Sequence, residues 1–167
     1  KTNLISPLIE AVIRGHSTVV KYLILRGADV NKTVQEAGTV WSPLMFAIRN
    51  GNIDIVKLLI DNGANVNFCD LQNSTPLIFA SWLGLTGVAK ILIKSGADIK
   101  AKMNNGYSAL TFAVYHCKTE IVKLLVESGV NVNVFYPLNY NKTVLDIAKE
   151  KGFSNIVEIL KKAGARE

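Results

Sequence analysis

The stretch SPLMFAIRNGNIDIVKLLIDNGANVN, residues 42–67, carries the reading of the whole chain. Ser42 before Pro43 is a helix N-cap followed by the residue best suited to a first helical turn. A short apolar run reaches Asn50, and Gly51 ends it by taking a left-handed conformation at low cost. Ile55, Val56, Leu58 and Leu59 then fall on one helical stripe, with Lys57 on its solvated face. Gly63 stops this second helix. Ala64-Asn65-Val66-Asn67 makes a turn whose valine tucks back under the helices.

The same pattern recurs along the chain. Ser6-Pro7-Leu8, Ser42-Pro43-Leu44 and Thr75-Pro76-Leu77 are followed by the weaker copies Ser108-Ala109-Leu110 and Thr143-Val144-Leu145, spaced 36, 33, 33 and 35 residues apart. Eight residues after each middle residue stand Gly15, Gly51, Gly84, Cys117 and Gly152, and twenty after it Gly27, Gly63, Gly96, Gly129 and Gly164. Self-similarity at such a period marks a stack of small units, each unable to bury its apolar faces alone. The expected fold is an all-α repeat solenoid of about five helix-turn-helix units, with helices beginning near Pro7, Pro43, Pro76, Ala109 and Val144.

The Ser/Thr-Pro-Leu opening, the Gly15-His16 and Gly51-Asn52 turns, the Ile-Val-Lys-Leu-Leu helix and the Gly-Ala-Asp-Val-Asn close resemble the ankyrin repeat over essentially the whole chain. The resemblance implies β-hairpin fingers at right angles to the helix pairs and a curved slab that binds other proteins. It divides a single domain, 1–167, into repeats at about 1–32, 33–69, 70–102, 103–136 and 137–167. There are departures. Ile9, Met45, Ile78, Thr111 and Asp146 stand where the family carries a histidine that ties the hairpin, so that network must be rebuilt or weaker. Cys117 replaces a turn glycine, which strains the fourth turn unless its backbone differs. Two fingers, Lys32–Trp41 and Val134–Lys142, exceed the basic period. The last copy carries Asp146, Lys149, Glu150, Lys151, Glu158, Lys161 and Lys162 and reads as a C-terminal cap. The first keeps apolar Ile5, Ile9, Val12 and Ile13 and reads as cut from a longer array or shielded by something upstream, as does a first residue, Lys1, that is not methionine.

The composition, 49% apolar and 19% charged, excludes a disordered tail or a fibre. Two cysteines, Cys69 and Cys117, are too few for a disulfide scaffold and suit a reducing compartment. The expected location is cytoplasmic. Fifteen lysines against four arginines suggest an AT-rich genome, that of a protist or an intracellular bacterium, and in the second case a location in host cytoplasm. Leu71–Ala89 holds no charge but contains Pro76, Gly84 and Gly87, and is read as a buried helix between turns rather than a membrane span.

No catalytic constellation stands out. His16 fits a structural turn. His116 and Cys117 are adjacent and point in different directions on a helix, with no third group to complete a nucleophilic site. No Cys/His spacing suits a metal, and the isolated glycines do not form a phosphate loop. The chain is therefore expected to be no enzyme, to need no cofactor and to be monomeric. Residues 1–83 hold seven basic and six acidic groups, whereas residues 84–167 hold twelve and seven. This C-terminal excess lacks interleaved aromatics, so it suits an acidic patch on a protein partner better than nucleic acid. Asn31, in Leu23…Asp29-Val30-Asn31, also resembles the sites that asparaginyl hydroxylases modify in ankyrin arrays.

In ankyrin-like slabs the variable surface comprises the finger tips and the residue pair before each first glycine. The candidate partner-binding residues on that surface are Trp41, Arg49, Trp82, Leu83, Tyr107, Tyr115, His116 and Tyr140. Trp, Tyr and Arg are the side chains that most often carry interface energy. Phe46, Phe79 and Phe112 are expected in the core. Phe135-Tyr136-Pro137-Leu138 is expected either as a second exposed apolar candidate or folded over the last repeat. The function expected is a non-catalytic protein-interaction module binding on its concave, finger-bearing face. The alternative is the regulatory or substrate-recruiting segment of a larger enzyme or secreted effector.

Overall fold

A computed structural model describes residues 5–36 and 38–166, the side chains of 139–141 excepted. Five inner helices, α1 (Pro7–Ile13), α3 (Pro43–Arg49), α5 (Pro76–Leu83), α7 (Ala109–Tyr115) and α9 (Val144–Glu150), alternate with five outer helices. The outer set is α2 (Ser17–Leu25), α4 (Ile53–Asp61), α6 (Thr86–Lys94), α8 (Thr119–Glu127) and α10 (Ser154–Lys162). Inner helices stack on inner and outer on outer, each pair touching its chain neighbours. Two antiparallel hairpins complete the elements: β1 (Val34–Glu36) with β2 (Thr39–Trp41), and β3 (Phe135–Tyr136) with β4 (Asn139–Thr143). The helical repeat solenoid read from the sequence is the fold observed.

Every inner helix starts at the residue its cap dictates. Ser6, Ser42, Thr75, Ser108 and Thr143 each accept the amide three residues on through the side-chain oxygen. At Ser108–Thr111 and Thr143–Asp146 the bond is reciprocal, a capping box. The Cys117 backbone does follow its glycine counterparts, at φ 54° against 79° for Gly84. A Cβ is strained in that conformation.

The core is one continuous ribbon between the helix layers. Ile55, Val56 and Leu59 of α4, with Val88, Ala89 and Leu92 of α6 and Ile121, Val122 and Leu125 of α8, are buried within it. No described helix is long and apolar enough to cross a membrane. The uncharged stretch 71–89 is broken by a turn at Gly84, between α5 and α6.

On the turn side, asparagines tie pair to pair. Asn31 donates to the Gly63 carbonyl (2.9 Å) and accepts from the Asn65 amide (2.8 Å). Asn67 does the same to Gly96 (3.0 Å) and Asp98 (2.8 Å), and Asn133 to Gly164 (3.2 Å) and Arg166 (2.8 Å). The equivalent position on the third pair is Lys100, whose ammonium has no acceptor to offer.

The fingers differ from one another. Only the first and last contain paired strands among the described residues; the third has a single bridge, Lys102 to Ser108. The second is held without the family histidine. Asp70 Oδ1 accepts from the Gln72 and Ser74 amides (2.9 and 2.8 Å), while Thr39 donates across from the first finger to Asp70 Oδ2 (3.1 Å). Asn104 of the third finger donates to the Leu71 carbonyl (3.1 Å) and accepts from Asn73 (2.7 Å). A carboxylate and two asparagines thus do the tying expected of an imidazole.

Candidate protein-interaction face

The fingers and inner helices meet along one side of the stack, and the aromatic side chains gather there in two groups. The first is built on Trp41, placed at the end of β2 by its pairing with Val34. Its indole stacks on Phe46 (5.2 Å between centroids) and meets Phe79 edge-on (5.6 Å). The Arg49 guanidinium lies 4.8 Å from the Trp41 ring centre and 4.7 Å from that of Phe46, and bridges to Glu36 at 3.5 Å. Trp41 is therefore held from several sides, a cation–π contact included. Trp82 touches the group more lightly. It packs on Phe79 (5.7 Å), one helical turn back on α5, and remains 45% exposed.

The second group surrounds Tyr107, Tyr115 and Tyr136. Tyr107 stacks on Phe112 (4.7 Å) and shares a hydroxyl hydrogen bond with Tyr136 (3.2 Å). Tyr115 stacks on Tyr136 (5.5 Å) and carries the Lys151 ammonium 4.1 Å from its ring centre. Burial, then its bond to Tyr107, pushes the Tyr136 phenol well above its ordinary value, so it stays protonated. The last finger therefore divides. Tyr136 is buried between two tyrosines, Pro137 packs against Gly106, and Phe135 and Leu138 stay exposed.

Between the groups lies an open cleft of about 390 Å³. Trp41, Trp82, Phe79, Phe112, Met45 and Met103 give it an apolar lining, with Asp70, Gln72 and Ser74 at the finger side. Of the candidate residues, Trp41 and Trp82 line this cleft, and Tyr107 and Tyr115 belong to the second group. Arg49 roofs Trp41, and Leu83 is half-buried beside Trp82. His116, the C-cap of α7, stacks edge-on against Tyr115 (5.2 Å). Its pKa is lowered, first by burial and then by repulsion from Lys118 and Lys151. The Tyr140 side chain lies outside the described residues.

The expectation that all three phenylalanines are core holds for Phe46 alone. Phe79 and Phe112 are half-buried and form the cleft floor. Their spacing signalled it, because Phe79 stands three residues before Trp82 and Phe112 four before His116, on the same helix faces.

A family model described as Ankyrin repeats (3 copies) matches residues 8–103 and 99–166. The chain belongs to the ankyrin-repeat family. Ankyrin repeats are generally protein–protein interaction modules and typically non-catalytic. No curated protein matches this ankyrin chain. Among its described residues there is no group of three or more His, Cys, Asp or Glu placed to hold a metal ion, and Cys69 and Cys117 are free and exposed.

Proposed function

We propose that this ankyrin array is an intracellular, monomeric interaction module that binds a protein partner on the side where fingers and inner helices meet. The cleft between Trp41 and Trp82 is the centre of that face. The supporting observation is the cleft itself: apolar, aromatic, solvent-open and built from three successive fingers and three inner helices. Aromatic surface of this kind is costly to leave in water and marks interaction sites. Methionines add adaptable contact.

The two tryptophans have different tasks. Trp41 is locked by Phe46, Phe79 and Arg49 and gives the cleft a rigid wall. Trp82 offers the larger free area and is the anchor. Arg49, Leu83, Tyr107, Tyr115, His116 and Tyr140 flank it. Trp82→Ala should weaken partner capture at least tenfold, in line with about 2 kcal/mol for a central aromatic, and leave thermal melting nearly unchanged. Lys57→Ala, on the opposite, outer-helix surface, should leave both unchanged. Capture from native lysate, comparing the wild-type chain with a Trp41/Trp82/Tyr115 triple alanine variant, tests the face. Equal capture by both would sink it. If Trp82→Ala unfolds the array, Trp82 is structural instead.

A further inference from the structure

The cleft is apolar, but what lies beside it is not neutral. Its one carboxylate, Asp70, is already occupied, with Oδ1 accepting from two amides and Oδ2 from Thr39. Glu36, near Trp41, faces Arg49. Neither asks for a cation from a ligand.

The opposite side of Trp82 is cationic. Lys118 lies across the bare Gly84, two residues beyond Trp82. Its Cδ, Cε and Nζ come within 3.0, 3.0 and 3.1 Å of where a Cβ on Gly84 would stand. Lys151 sits on the Tyr115 ring, on the next pair. His116, edge-on to the same Tyr115, loses proton affinity first through burial and then through repulsion from both lysines. Glu150, the nearest acid in the chain to Lys151, is paired with Lys142. Two of the twelve basic residues after residue 83 thus stand near the aromatic cleft, Lys118 against Gly84 and Lys151 on Tyr115.

Resting on the reading of this face as the partner site, we infer that the occupant is an extended peptide segment of a partner protein, with a large apolar side chain in the cleft and aspartate or glutamate residues alongside, over Lys118 and Lys151. The apolar anchor supplies affinity by burial. The carboxylates supply steering and select against basic partners.

The test is a selection of displayed random dodecapeptides against the full chain. Enriched synthetic peptides are then titrated by the emission of Trp41 and Trp82, the chain's two tryptophans, both in the cleft. Enriched sequences should pair a large apolar residue with acidic neighbours and should weaken as salt rises. Lys118→Glu/Lys151→Glu should lower their affinity at least tenfold and shift the selection toward basic flanks. Lys118→Gln/Lys151→Gln should fall between, with unchanged melting for both variants. Uncharged or basic flanks, or acidic peptides indifferent to charge reversal, overturn the partner chemistry while leaving the face standing if Trp82→Ala still abolishes binding. Peptides indifferent to Trp82→Ala overturn the face as well. An empty selection, or a single-stranded oligonucleotide that binds more tightly than any selected peptide and displaces it, overturns the acidic peptide as occupant.

Discussion

Val19 and Ile156 are each the third residue of an outer helix, α2 and α10, yet Val19 is 46% exposed and Ile156 0%. Ile55, Val88 and Ile121, at the same place on the helices between, are also buried. What buries this position is the preceding pair, so the first pair shows to solvent what all later pairs hide. Tyr22 and Leu25, one and two turns on, continue the exposed apolar stripe at 55% and 75%. The other end is finished differently. Lys161 stands where Ile24, Ile60, Ile93 and Val126 are half-buried in the earlier pairs, and Lys162 pairs with Glu158 at 2.6 Å. One fold unit thus presents two different terminal surfaces, and the value of a residue depends on its neighbour as much as on its own helix.

The sharpest test of this difference is truncation at matched positions. Ile156→Ala should cost about 2–5 kcal/mol in urea titration, as should Leu92→Ala in the middle of the stack, through lost burial and a cavity. Val19→Ala should stay within about 0.5 kcal/mol, the range of an exposed change. Similar losses at Val19 and Ile156 would break the comparison. A smaller effect separates the caps. Thr143→Ala removes a reciprocal cap and should cost about 1 kcal/mol. That cap is also pH-sensitive. The Thr143 amide and hydroxyl hold the Asp146 carboxyl below its ordinary 3.8. Its stabilisation is therefore complete above about that pH and is lost as pH falls through the lowered folded value. The last pair should loosen on acidification before the first, whose Ser6 cap faces Ile9 and has no such carboxylate. Amide exchange across the two pairs, followed against pH, would show it; equal loosening would mean the carboxylate contributes little. The smallest effect is at Cys117. Relieving a left-handed Cβ, Cys117→Gly should stabilise the array by about 0.5–1 kcal/mol, and a lower melting temperature would show that the thiol packs better than its exposure suggests.

Much of this was legible in residue order. The Ser/Thr caps, three of them before Pro, and the repeat spacing set all five inner helix starts, and register marked Cys117 as standing in a glycine's turn position, strained there unless the backbone differed. Short-range chemistry of that kind is local, so the sequence states it directly. The cleft was only half legible. Trp41 and Trp82 stood out by position, but Phe79 and Phe112 were hidden by the assumption that a phenylalanine inside an apolar helix is core. The sequence leaves Tyr136 between two alternatives, exposed or folded over the last repeat, for another reason. Its burial depends on a finger folding back across Tyr107 and Tyr115, a contact set by loop geometry rather than by periodicity. Asp70 was missed because its work, replacing a histidine in another part of the repeat, leaves no motif.

The asparagine ties have a mechanical consequence. Asn31, Asn67 and Asn133 staple three of the four junctions on the turn side, and Lys100 leaves the third without a staple of this kind. A chain pulled from its two ends is loaded in series, so every junction feels the same force and the least fastened one yields first. The third junction is not that one for want of an asparagine staple: α5 packs on α7 across it, and Asn104 of the third finger bonds to Leu71 and Asn73 of the second. A pull along the molecule therefore reaches that junction through its fingers and inner helices, the very face on which the aromatic residues are gathered, with no asparagine staple on the turn side to share the load.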